Sequence, residues 1–161
     1  MEFSIEKFNS VKREAEEFYN TIESVYCPYF SDKVNFNNKG WEHLIFKHWN
    51  KARVIEDQYA RLRHIKLAPE VIKNSKTLQG VLTTNKFERV KKKNGQWQQL
   101  LKIATYYEFI AVMESHNSIV RVKIIVKQIE GGDKFFFSII PYWGKDKKGD
   151  RIIHSGNLET D

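Results

Sequence analysis

"VRVKIIVKQI" occupies residues 120–129, and its reading decides the class of fold. Val120, Val122, Ile124 and Val126 recur at every second position, opposite Arg121, Lys123 and Lys127. Successive side chains of a strand point to opposite faces, so a period of two predicts a strand with one apolar and one cationic face. Three neighbouring stretches share its β-branched and aromatic character: "LTTNKFERVKKK" (82–93), "QQLLKIATYYEFIAVMES" (98–115) and "KFFFSIIPYW" (134–143). The breaks between them, "KNGQ" (93–96), "SHNS" (115–118) and "EGGD" (130–133), are short and turn-like. Consecutive strands joined by short turns make an antiparallel meander, here of about four strands.

The first half follows a different period. In "SIEKFNSVKREAEEFYNTIES" (4–24), Phe8, Val11, Ala15, Phe18 and Ile22 lie three or four residues apart, which predicts an amphipathic helix. A bend follows at "CPYFSDK" (27–33), where Pro28 cannot continue a helix. "KVNF" (33–36) reads as a short strand, and the asparagines at 37–38 supply an N-cap for the next helix. A further helix is expected from about Arg53 to Lys66, carrying Ile55, Tyr59, Leu62 and Ile65, and Pro69 opens another short one. Helices first and an antiparallel sheet second predict an α+β domain, with N-terminal helices packed on a C-terminal meander.

The bulk composition fits one domain over residues 1–161. Hydrophobic residues make up 41% of the chain and aromatics 14%, enough for a core. No apolar run reaches membrane-spanning length, and the charged N-terminus has no secretory-signal pattern, so no membrane partner is expected. A single cysteine, Cys27, excludes a disulfide within the chain and a multi-thiolate metal site, and a reducing cytoplasm is the expected compartment. The net charge of +7 points to polyanionic partners, since Lys and Arg neutralise phosphates and release counterions; a solvated lysine face is the alternative.

Motifs for phosphate loops, dinucleotide folds, zinc peptidases and paired CxxC sites are absent, so no metal or cofactor is expected. The chemistry-bearing residues concentrate in "KGWEHLIFKHWNKAR" (39–53). On a helical projection Trp41, Leu44, Ile45, Trp49 and Ala52 fall on one side, with His48 at its edge. His43 and Lys47 fall one turn apart on the polar side. His48 reads as a hydrogen-bonded core-edge residue or as a titrating group; His43 and Lys47 read as a solvated face or as a site at the helix–sheet boundary. Arg61 and Arg63 on the following helix are surface residues or phosphate clamps. The last strand and tail, "FFFSIIPYWGKDKKGDRIIHSG" (135–156), add Ser138, Tyr142, Trp143, Lys145 and Arg151, a mixture of rings and cations suited to stacking on RNA. Phe135 and Phe137 read as core.

A helix bearing "HLIFKH" (43–48), then an arginine-bearing helix, then a meander ending in "FFSIIP" (136–141), resembles the phage- and element-borne branch of the barnase–EndoU–colicin–RelE nuclease superfamily. The resemblance spans residues 33–157 and leaves residues 1–30 outside the core. It implies a small, metal-independent endoribonuclease, many of its members being toxins. It puts His43, Lys47 and His48 in the site, with Arg63 or Arg61 from the next helix and Ser138 from the last strand. His43 or His48 would serve as base or acid, Lys47 and Arg63 would stabilise charge, and Ser138 would contact phosphate. Arg53, Arg61, Tyr142, Trp143, Lys145 and Arg151 would bind the nucleic acid. RNA supplies its own 2′-hydroxyl nucleophile, so the products would be a 2′,3′-cyclic phosphate and a 5′-hydroxyl. Such a basic toxin implies an acidic antitoxin or immunity protein as a second partner. Two other readings stay open: a non-catalytic nucleic-acid-binding domain, and a protein-interaction module of the immunity or antitoxin type.

Overall fold

A computed structural model describes residues 4–48, 50–142 and 158–159, leaving aside the side chains of Glu88, Val90 and Tyr142. The elements run α1 (Ile5–Thr21), β1 (Ser24–Cys27), β2 (Asp32–Asn35), α2 (Asn38–Ile45), β3 (Phe46–His48), β4 (Lys51–Ala52), α3 (Ile55–Arg63), α4 (Leu67–Asn74), β5 (Gly80–Lys91), β6 (Trp97–Ser115), β7 (Ser118–Ile129) and β8 (Lys134–Tyr142). The α+β class holds, with four helices and a large, mostly antiparallel sheet. No helix among the described residues is long and apolar enough to cross a membrane.

The sheet has six strands where the sequence predicts about four, in the order β1-β2-β8-β7-β6-β5. β5 to β8 form the expected antiparallel meander. The additional pair is an antiparallel hairpin of β1 and β2, built around the Pro28 bend. It joins the meander in parallel, through Asn35 beside Phe135 on β8.

β7 is buried on both sides. Val122, Ile124 and Val126 enter a large cluster with Phe109, Phe136 and Ile139 of the sheet and Phe8, Leu44, Leu62 and Ile72 of the four helices. On the opposite side, Ile125 joins a second cluster of Ala104, Tyr106, Phe135, Phe137, Ile140 and Leu158. The cationic face of β7 is therefore covered: Lys123 is 2% exposed and Lys127 7%. Lys123 Nζ lies 3.1 Å from Glu108 Oε2, while Lys127 Nζ sits 5.3 Å and 5.1 Å from the ring centres of Tyr106 and Phe137. An aliphatic stem suits the apolar layer, and ring faces attract the ammonium.

Between β7 and β8 the register slips. Ile125 opposes Ser138 and Val126 opposes Phe136, so Phe137 is an inserted residue, a β-bulge. Hence Phe136 and Ile139, three apart, share the helix-side cluster, while Phe137 joins the other.

α2 starts as expected, with Asn37 Oδ1 accepting from Gly40 N at 3.2 Å. It ends at Ile45 instead of running through the whole histidine-rich stretch. The cause is non-local. Arg53 donates its backbone N–H to Ile45 O (2.8 Å) and its Nε to His43 O (2.9 Å), satisfying carbonyls a longer helix would have used. Between the two, β3 and β4 pair as a small hairpin, and α3 begins at Ile55, two residues later than expected.

Gly40 seats α2 on β8. A Cβ there would collide with Phe136 O and come within 2.6 Å of the Tyr19 hydroxyl, which itself donates to Asn37 O. In a free helix Gly→Ala stabilises by about 1 kcal/mol. Here Gly40→Ala is expected to lower stability by about 1–3 kcal/mol through overpacking, measured by urea unfolding.

Candidate functional site

A buried polar chain connects α2, α3 and β8. Arg53, Asp57 and Arg61 recur at four-residue steps, so they stack along one face. Asp57 lies between the two guanidiniums, with Oδ2 3.2 Å from Arg53 Nη1 and Oδ1 2.7 Å from Arg61 Nε. Arg61 Nη1 donates to Ser138 Oγ at 2.6 Å. At the other end Arg53 Nη2 donates to His43 Nε2 at 2.9 Å. Arginine carries donors only, so His43 Nε2 is the acceptor and the ring is the neutral Nδ1–H tautomer while this bond stands.

These placements revise the sequence reading of four residues. His43 is buried, not on a polar face, and its ring stacks on Phe137 at 3.8 Å and 20°. The reason is that α2 straddles β8. Leu44 enters the helix-side cluster, Gly40 touches the Phe136 backbone, and His43 reaches Phe137 on the far side. Arg53 and Arg61 are buried bracing groups, Arg61 with 0% exposure. Ser138 is equally buried, behind Arg61.

In front of this chain lies a cavity of about 590 Å³. His43, Lys47, His48, Lys127 and Phe137 line it, with Glu42 and Lys39 from α2 and Lys86 from β5. Two histidines five residues apart diverge on a continuous helix. They share this cavity because the chain leaves the helix at Ile45 and β3 turns His48 back. Lys47 and His48 are exposed. Glu159 closes one side, 2.5 Å from Lys86 Nζ. A second cavity of about 360 Å³ shares Lys39 and adds Arg89 and Lys102, together with Glu130 and Asp133.

An arm supplies one wall to each cavity, Lys86 to the first and Arg89 and Lys102 to the second. β7 pairs with β6 only from Ala104 onward, so the β5–β6 ladder continues past it as two strands. Residues 86–102 carry Lys86, Arg89, Lys91, Lys92, Lys93 and Lys102 against one carboxylate, Glu88. Lys86 and Lys102 are directly opposed in register. Like charges so placed repel, and Glu159 offsets the Lys86 side of the pair.

Arg63 lies elsewhere, lining a cavity of about 180 Å³ with His64, Lys66, Ser115 and His116. Burial, with His116 and Arg63 nearby, lowers the His64 pKa to about 4. Trp143, Lys145 and Arg151 fall outside the described residues, as does the side chain of Tyr142. Lys127, Lys86 and Asp57 were missed by the sequence reading. Lys127 had a signal: the consecutive apolar triplet Ile124-Ile125-Val126 marks a strand buried on both faces, cations included. Among the described residues no group of three or more His, Cys, Asp or Glu is placed to hold a metal ion. No protein-family model, curated protein or solved structure matches the chain.

Arg61→Ala removes one of the two partners of Asp57 and the donor to Ser138 and is expected to cost about 3–5 kcal/mol in chemical denaturation, whereas Lys47→Ala leaves the midpoint unchanged. His64 binds its proton less readily folded than unfolded. Stability is therefore expected to be full above pH 6.5 and to fall as the pH drops toward 4, with a shallower fall in His64→Gln.

Proposed function

We propose that the chain is a metal-independent endoribonuclease that holds RNA along the groove formed by the two adjoining cavities. The observation that carries this reading is that His48, Lys47 and Lys127 line one concavity with Lys39 and Lys86. Lysines there neutralise backbone phosphates and the charge that builds on the phosphorane. The arm continues the cationic wall through Arg89 and Lys102, giving a strand of RNA a path longer than one nucleotide.

Cleavage needs a group that takes the 2′-hydroxyl proton and another that returns one to the 5′-oxygen. His48 and Glu42 line the cavity with exposed side chains and suit these two roles. His43 suits neither through Nε2, whose lone pair receives Arg53. It acts instead as a neutral positioning group, stacked on Phe137. Ser138 and Arg61 support the wall from behind. An inhibitor protein that occupies this groove would be acidic.

The engagement of His43 and the burial of Ser138 favour one second reading, a nucleic-acid-binding domain without catalysis. A labelled single-stranded RNA incubated with the protein in EDTA separates the two. The nuclease yields 2′,3′-cyclic phosphate ends, leaves 2′-deoxy substrate intact, and loses about 10²–10⁴ in rate with His48→Ala. Intact RNA bound with a steep salt dependence supports the second reading. Neither cleavage nor salt-sensitive binding removes both.

A further inference from the structure

The cavity that holds Arg63 is built by elements that contribute nothing to the groove: α1, the end of α3 with the chain leading into α4, and the β6–β7 turn. His116 and Asn117 form that two-residue turn, at φ +50° and +63°. Paired positive φ values are uncommon outside Gly, and histidine and asparagine are among the residues that adopt them. Its ring is tied down: Ser115 Oγ lies 2.8 Å from His116 Nδ1 and 3.1 Å from His64 Nδ1. The two rings meet edge to face at 5.6 Å. A hydroxyl carries one hydrogen and two lone pairs, so Ser115 donates to at most one imidazole and at least one ring presents Nδ1–H to it. The turn therefore fixes two imidazoles at one cavity through a shared hydroxyl.

The charges around this triplet are unbalanced. Arg63 and Lys66 both line the cavity, and neither forms a salt bridge among the described residues. Lys66 Nζ rests 5.9 Å from the Phe18 ring centre. Glu14, from α1, is the single carboxylate among the described residues of the lining. Both imidazoles are held below their ordinary pKa, by burial first and then by neighbouring cations. The cavity's volume of about 180 Å³ lies below the roughly 300 Å³ at which drug-sized ligand pockets begin.

We propose that this cavity binds a small tetrahedral oxyanion of the inorganic phosphate or phosphomonoester class, gripped by Arg63 and Lys66 and contacted by the His64–Ser115–His116 triplet. Such an anion offsets the cationic part of what lowers the imidazole pKa values, the part that follows burial. Binding therefore draws protons onto them, and affinity rises as the pH falls. This inference does not rest on the nuclease reading.

Sulfate is a suitable first probe because it stays a dianion across the range. Histidine Cε1–H resonances are followed against pH in sodium sulfate and in sodium chloride of equal ionic strength. The expected result is that sulfate raises the titration midpoints of His64 and His116 by about one unit, equivalent to about tenfold tighter binding of sulfate to the protonated form. Arg63→Gln and Lys66→Gln should each shrink the shift, the same spectra reporting that the fold is intact. Competition of inorganic phosphate and methyl phosphate against sulfate then separates a free ion from a terminal phosphate. Identical midpoints in sulfate and chloride, or shifts untouched by both substitutions, would overturn the proposal.

Discussion

Asp57 held between the guanidiniums of Arg53 and Arg61 is the contact on which the rest of the molecule turns. Burying two arginines is tolerable only when their donors are met, because the desolvation of a charge costs several kcal/mol. Each arginine meets that requirement with backbone as well as side chain. Arg53 closes the end of α2, and Arg61 reaches Ser138 and the Ile139 carbonyl across the bulge of β8. One carboxylate thus fixes where a helix stops, where the next begins, and how both sit on the last strand. The helix end in turn decides which residues face the cavity.

The sheet has a dry layer on each side, and the two layers differ in kind. The helix side is mainly Val, Ile, Leu and Phe side chains, with Tyr19 among them. The other side mixes aromatic rings with Lys123 and Lys127, whose ammoniums are met by Glu108 and by ring faces. The candidate groove lies over this second layer. Its cations are therefore anchored in the sheet at one end and in flexible surface side chains, such as Lys47, at the other.

Local rules made much of this visible in the sequence. The alternation of β7, its flanking turns, the 3.6-residue period of α1 and the Asn37 cap each depend on neighbours within a few residues, and each is found. What failed depends on distant partners. The early end of α2 requires Arg53 folding back onto His43 and Ile45. The enlargement of the sheet requires β2 to find β8. The burial of His43 follows from α2 crossing β8, which no projection of one helix contains. For the site, His43, Lys47 and His48 were found as a cluster, but only the helix break explains how they share a cavity. The family resemblance put Arg63 with them, and space separates them.

The parallel contact of Asn35 with Phe135 joins positions a hundred residues apart. Strands β5 to β8 find each other through short turns, so the meander can assemble quickly once made. The β1–β2 hairpin and α2 cannot, because their resting place is the final strand of that meander. At synthesis rates of about 5–20 residues per second, they wait some seconds for it to emerge. During that interval Phe36, Leu44 and Ile45 have no sheet to cover them, so the N-terminal half exposes apolar surface as the chain is made.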